Sequence, residues 1–450
     1  MGSEVQPEAG EIAAAPAGRG GLVTYGVILA TSTLSILGSR ISGLAVSIAV
    51  FRQTGHATPL AIVSFIYVVA QVATMGFTGA LADRFDRRTL MLLANVGYAV
   101  CSALLLAAFV SGAFQLWQLY VLSLANALFS ALEAPAYQAS IAMLVPDRLR
   151  DRANAIQQLT GPTAGILAPA AAGLLYAAFR VSGAILVDLG TFAVAILVLL
   201  IICIPMPAKT EASAAPEGGL WRQSFDGFRY LAQRPVLFGF VLSATAVNFV
   251  VNGVTVLDTP YVLDRVSSVA TFGVIMAVMN AGAVVGALVM SVWGGTRPRV
   301  NTTAGGLMLS GLFLALAGAA HTAPLLSLCF GLFMFAMQPV NAAATSILQA
   351  KIAPEVQGRA FAAINQMAML LTPIALLAAG PLADRVFEPA VHTAGWRNVA
   401  WLVGGGVGSG IGLMIVIAGA ATTLIAAVFY AIPSLRRIET ILPDHVTEAG

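Results

Sequence analysis

Arg40, Glu133 and Asp188 each fall inside an otherwise apolar run of about twenty residues or more, long enough to cross a membrane. A charge at the centre of a membrane helix costs about 2.5–3.5 kcal/mol on insertion scales, so such a residue persists where it is paired or lines a polar cavity. Arg40 and Glu133 lie near mid-run, and Asp188 lies nearer one end of its run. Glu133 shares a helical face with Asn126, Ser130 and Tyr137, at spacings of three and four. A carboxyl there can carry a proton across the membrane if its surroundings alternate between a dry pocket and a cationic neighbour. Glu133 is therefore read as the proton carrier and Arg40 as the group that competes for its charge. A static Arg40–Glu133 pair fixing two helices is the alternative. Asp188 is read as a second coupling acid or a wetted rim residue, and Asp258, close to the end of its run, as interfacial.

Amides supply the remaining polar chemistry. Asn248 and Asn252 are four apart; Asn280, Gln338, Asn341, Asn365 and Gln366 follow in later apolar runs. Together with Asn126, the residues Asn248, Asn252, Asn280, Gln338, Asn341 and Gln366 are expected to line a substrate cavity, although each amide can equally bond between helices. Cys101, Cys203 and Cys329 are scattered singly, and His56, His321, His392 and His445 are equally dispersed, so neither a disulfide framework nor a metal site is expected. No phosphate-binding G-x-x-x-x-G-K-[ST] loop is present.

The elements that must hold these groups follow from composition. Of 450 residues, 58% are hydrophobic and 10% charged, against about 25% charged in soluble domains; the mean hydropathy is +0.88. A soluble enzyme or nucleic-acid binder is excluded. Apolar stretches at 22-50, 58-80, 89-111, 115-143, 154-178, 182-204, 236-260, 269-292, 301-320, 323-347, 360-380 and 402-430 predict twelve helical spans. The expected organisation is a disordered tail (1-21), a six-helix half (22-205), a linker (206-235), a second six-helix half (236-432) and a C-terminal tail (433-450). With both ends in the cytoplasm, seventeen of the 23 Lys and Arg residues fall on that side. Only Arg52, Arg180, Arg265, Arg385 and Arg397 fall outside, with Arg40 within a span, as the positive-inside rule requires. In the linker, Trp221, Phe225, Phe228 and Leu231 oppose Arg222, Arg229 and Arg234, which suits either a helix on the anionic membrane surface or a connector packed on the bundle. Residues 146-158 and 354-366 echo each other after the fourth span of each half, as parallel repeats would.

Residues 79-91, GALADRFDRRTLM, resemble the signature loop G-x-L-x-D-R-x-G-R-R-x-x-L of the major facilitator superfamily, with Asp86 at the second glycine. The resemblance implies that Gly79, Asp83, Arg84, Arg87 and Arg88 form a cytoplasmic gate latching the two halves in the outward-facing state. Residues 160-175, TGPTAGILAPAAAGLL, are similar to the proline-glycine motif of the superfamily's antiporters, and Gly161, Pro162, Gly165 and Pro169 are assigned to a hinge there. The stretches 290-300, 380-389, 406-413, 433-444 and 227-235 resemble the macrolide-efflux type of the drug:proton antiporters, although Ser409 stands where that group has an arginine. Leu-Ala-Asp-Arg recurs at Leu382–Arg385, on the outer side, and is not the repeat partner of the first copy.

The resemblance implies an all-α, twelve-helix facilitator of two pseudo-symmetric halves in the cell membrane. It would be non-enzymatic, would bind no cofactor, and would draw on the proton gradient to export an apolar or amphipathic small molecule. The expected partners are that substrate and membrane lipid, without nucleic acid, around a functional monomer. The alternatives are a proton-coupled importer or uniporter of a metabolite, and a non-transporting receptor or scaffold.

Overall fold

The computed structural model of the chain describes residues 19–442, apart from Phe85, Ser267, 203–228 and most of 147–159; at 75–84, 141–143 and a few positions within 354–362 it describes the backbone alone. The first half comprises α1 (Arg19–Thr54), α2 (Thr58–Arg84), α3 (Arg87–Val110), α4 (Leu116–Leu144) and the long run α5 (Thr160–Ile201). The second comprises α6 (Pro235–Thr255), a short α7 (Asp258–Arg265), α8 (Val269–Trp293), α9 (Arg299–Gly318), α10 (Ala323–Lys351), α11 (Pro354–Leu370), α12 (Thr372–Leu382) and α13 (Ser409–Ala431). Ten helices among the described residues are long and apolar enough to cross a membrane. One of them, α5, is two helices joined at Arg180, whose φ of 59° is the single non-helical conformation within it. That residue marks the turn between the fifth and sixth predicted spans. Residues Thr58–Thr74 of α2 add a shorter apolar stretch, so the helices are consistent with twelve crossings.

Two predicted ends shift. The seventh span stops at Thr255, not 260, and Asp258 opens the separate helix α7. The twelfth begins at Ser409, not 402: Arg397–Val403 forms its own short helix, and Gly404 and Gly408 take positive φ between the two. The first break falls at the apolar Val256 and Leu257, where hydropathy gives no sign; the second falls in the glycine-rich stretch 404–410, which the predicted span takes in. Asp86, at the family's glycine position, has φ −60° and ψ 125° and caps α3, its carboxylate accepting from Thr89 N–H (3.1 Å) and hydroxyl (2.9 Å). Such a cap is worth about 1 kcal/mol.

Both ends of the described chain lie on one side of the bundle, here the terminal face. One large core runs through both halves toward the opposite face, including Ile48, Leu60 and Ile185 from the first half and Tyr261, Phe272 and Phe330 from the second. Toward the terminal face the described cores separate, one around Tyr25, Met91 and Leu144, the other around Leu231, Ile347 and Phe429. Among the described residues the halves thus share a core at one end and have separate cores at the other. The segment after α13 folds back under the second half: Leu435 and Ile438 are buried. The Lys351 ammonium, 3% exposed at the end of α10, donates to the carbonyls of Glu439 (2.6 Å) and Leu442 (2.5 Å). The Glu439 carboxylate accepts from Val300 N–H (2.9 Å) at the start of α9. Residues 433–442 are therefore a docked foot.

At the opposite face, Asp264 on α7 lies half-buried beside Glu388, and burial together with that neighbour pushes its carboxyl from its usual 3.8 to about 7, against the opposing pull of Arg265. Glu388 is itself fixed by Gly408 N–H (3.2 Å) and Ile411 N–H (2.9 Å), while Arg265 donates to Val403 O (2.6 Å) and faces His321 (3.2 Å). Between about pH 4 and pH 7 the folded chain holds a proton on Asp264 that the unfolded chain has lost, so stability falls as pH rises through that window. The melting temperature of the purified protein is expected to drop across the window, and Asp264→Asn to flatten that slope; an unchanged slope in the variant would contradict the assignment.

Candidate functional site

Three stripes of polar residues face one another inside the first half. Helix α1 presents Ser32, Ser35, Ser39 and Ser42; α3 presents Asn95, Tyr98 and Ser102; α4 presents Asn126, Ser130, Glu133 and Tyr137. Every stripe repeats at three or four residues, the spacing that stacks side chains on one helix face. They enclose a cavity of about 660 Å³, also lined by Arg40, Tyr67, Asp188 and Phe192. The volume falls in the range of small-molecule sites.

The two acids are held by neutral donors. Glu133 accepts from the Asn95 amide (3.0 Å), which also donates to Met91 O (2.9 Å). Asp188, 4% exposed, accepts from the hydroxyls of Ser39 (2.9 Å) and Ser102 (2.7 Å). Gly38 lets α1 approach α5 closely there, because a Cβ on it would lie 2.4 Å from Thr191 Oγ1 and 3.2 Å from Asp188 Cα. Nearby, Gln71 donates to both the Tyr67 and Ser130 hydroxyls (3.2 Å each), and the Tyr98 ring stacks on Phe192 with centroids 5.3 Å apart. The Ser35 hydroxyl is buried with no partner among the described residues. Arg40 is exposed on the cavity wall, and no hydrogen bond or ion pair joins it to Glu133 among the described residues. The two share a chamber without forming a static pair in this conformation.

Sequence reasoning found the α4 stripe and the three charges but passed over the serines of α1 and the Asn95–Tyr98–Ser102 stripe of α3. The signal was available as the same three-and-four spacing, but small hydroxyls barely lower the hydropathy of a span. One of the predicted amides is in the lining of this chamber. Asn126 lines the cavity, whereas Asn248, Asn252, Gln338, Asn341 and Gln366 lie outside its lining. Asn280 sits at the seam between halves, donating to Met276 O (2.8 Å). A Cβ on Gly165 would come within 2.5 Å of Asn280 Oδ1 and 3.5 Å of an Arg40 guanidinium nitrogen. Helix α5 runs unbroken through Pro169, and Gly161 lies on the cavity wall; Gly165 serves as a close-contact point between halves. Gly165→Leu is expected to lower transport severalfold with little change in expression, by displacing Arg40 and Asn280; full activity in vesicles would contradict it.

At the predicted gate, Arg88 donates from Nε to Leu199 O (2.7 Å) and from Nη2 to Leu200 O (2.6 Å), tying α3 to the end of α5. Arg87 is the other gate residue with a described side chain; those of Gly79, Asp83 and Arg84 lie outside the described residues, as does the linker at 221–228. Among the described residues no group of His, Cys, Asp or Glu is arranged to hold a metal ion.

Residues 28–376 match the sequence profile of the Major Facilitator Superfamily. The chain belongs to that superfamily. It is 23% identical over 362 residues to macrolide efflux protein A of Streptococcus pyogenes, covering 80% of this chain and 89% of that one. It is 24% identical over 368 residues to the multidrug efflux pump Tap of Mycobacterium tuberculosis, covering 80% and 86%. Among solved structures, a bacterial homolog of the human lysosomal transporter Spinster, inward-facing and unoccupied, superposes with a TM-score of 0.71 at 17% identity, covering 94% of this chain and 99% of that one. The superfamily chain described here is thus a multi-pass membrane transporter with efflux proteins among its relatives.

Proposed function

We propose that this facilitator exports an amphipathic small molecule in exchange for protons. The observation that carries the reading is the cavity itself, a chamber in which Glu133 and Asp188 are held by neutral donors while Arg40, on the same wall, is joined to neither acid among the described residues. A carboxyl held by neutral groups can be protonated without breaking an ion pair, and Arg40 can take the place of the proton when the halves move. Tyr67, Tyr98 and Phe192 offer ring faces, and the serine stripe offers hydroxyls, which suits a ligand with apolar and polar sides. The relatives named for macrolide and multidrug efflux support the export direction. The seventeen basic residues that the sequence pattern assigns to the side of the chain ends support placing that side in the cytoplasm. In this orientation the core shared by the halves lies at the outer face, the side of the separate cores is the loading side for an exporter, and the gate of Gly79, Asp83, Arg84, Arg87 and Arg88 closes it when the cycle turns.

Everted membrane vesicles test the proposal. Respiration makes their lumen acid, and a labelled macrolide and a fluorescent amphiphilic dye serve as probes. Accumulation of either probe that collapses with a protonophore is the expected result. Accumulation only in right-side-out vesicles would establish import instead.

A further inference from the structure

The second Leu-Ala-Asp-Arg, Leu382–Arg385, plays no part in the cavity. It closes α12 at the opposite face, where the helix passes into a π turn. Across the boundary between halves, α2 begins at Thr58. Asp384 reaches the unsatisfied amides at that start: Oδ1 accepts from Ala57 N–H (2.9 Å), and Oδ2 accepts from Thr58 N–H (2.8 Å) and from the Thr58 hydroxyl (2.5 Å). A carboxylate there satisfies orphan donors and faces the positive end of the helix dipole, and charge-assisted bonds are roughly twice as strong as neutral ones. The Asp384 side chain is 11% exposed, so solvent screens these bonds little, while His56, 3.9 Å away and 66% exposed, adds little. One turn earlier, a Cβ on Gly380 would lie 2.6 Å from Thr58 Cα and 2.9 Å from Ala61 Cβ. The two helices therefore touch backbone to backbone where Asp384 binds, and these contacts must part if the opposite face is to open.

The geometry points to Asp384 as the outer latch of the transport cycle, a positioning residue that holds α12 on the start of α2 while the cavity faces inward and lets go when it faces outward. The two copies of the tetrapeptide then sit in different halves on different faces, each beside an end of α2. Leu81–Arg84 ends α2 at the terminal face, and Leu382–Arg385 caps its beginning at the other. The reading rests on alternating access as proposed above, but its test requires no substrate.

Spin labels on Ser111→Cys and Asn398→Cys, both exposed on the opposite face and in different halves, report whether that face is closed. The chain carries them in a background with its three native cysteines replaced. Pulsed dipolar distance distributions of purified protein are expected to show the open, long-distance population rising about tenfold in Asp384→Ala, given the worth of hydrogen bonds to a charged group. Asp384→Asn, which keeps the shape and loses the charge, and Thr58→Val, which loses one donor, are expected to give smaller increases. A parent-like distribution in Asp384→Ala, with unchanged melting temperature, overturns the latch; if that variant does not fold, a parent-like distribution in Asp384→Asn does so. A shifted distribution in protein that transports neither probe leaves the latch standing and removes the export reading instead.

Discussion

Glu133→Gln is expected to reduce gradient-driven uptake of both probes in everted vesicles to the level of vesicles lacking the protein. Glutamine preserves the size of the side chain and can still accept from Asn95, so the α3–α4 contact survives. It cannot take up or release a proton at physiological pH. The variant should therefore still exchange unlabelled for labelled probe without a gradient, because that exchange needs the cavity and the moving halves but no net proton transfer. Loss of exchange as well would mean that Glu133 holds the substrate or the fold. Full gradient-driven uptake in the variant would move coupling to Asp188, whose two hydroxyl partners make it the other acid of the chamber.

The largest expected stability effect lies far from the cavity. Lys351→Met keeps the apolar stem but removes the ammonium that donates to Glu439 O and Leu442 O. Hydrogen bonds to a charged group are worth about 1.5–3 kcal/mol each, so losing both should cost about 3 kcal/mol or more. Thermal unfolding in detergent measures it. Truncation after Arg437 should destabilise to a similar degree, and the two changes together should cost far less than their sum, because both remove the same docking. Additive losses would show that the lysine acts elsewhere.

How far the sequence predicts the molecule depends on the kind of contact. The spans are legible because about twenty apolar residues are needed to cross a bilayer and short polar turns separate them. The turn between the fifth and sixth spans was placed within a residue or two of Arg180. The start of the twelfth span was not: the predicted span takes in the glycine-rich stretch 404–410, and the positive-φ glycines at 404 and 408 break the helix there. Within the site, Glu133 and its stripe were legible from spacing along one helix. The gathering of α1, α3 and α4 stripes around one chamber was not, since spacing fixes the face of a helix but not its rotation against neighbours. The amides of the second half show the same gap: their types suited a cavity, and none of them lines this chamber. Asp384 is the extreme case. Its partners are 326 and 327 positions away in sequence and mostly backbone amides, which no residue pattern announces.

The central claim is exchange of substrate for protons, and proton flux measures it directly. Purified protein is reconstituted into liposomes with an acid lumen containing a pH-sensitive dye, and the amphiphilic probe is added outside. Exchange predicts that the lumen becomes more alkaline when the probe is added, with no such response in Glu133→Gln. A lumen that becomes more acid would establish co-transport, and probe entry with no pH change would establish uniport; either result contradicts the account.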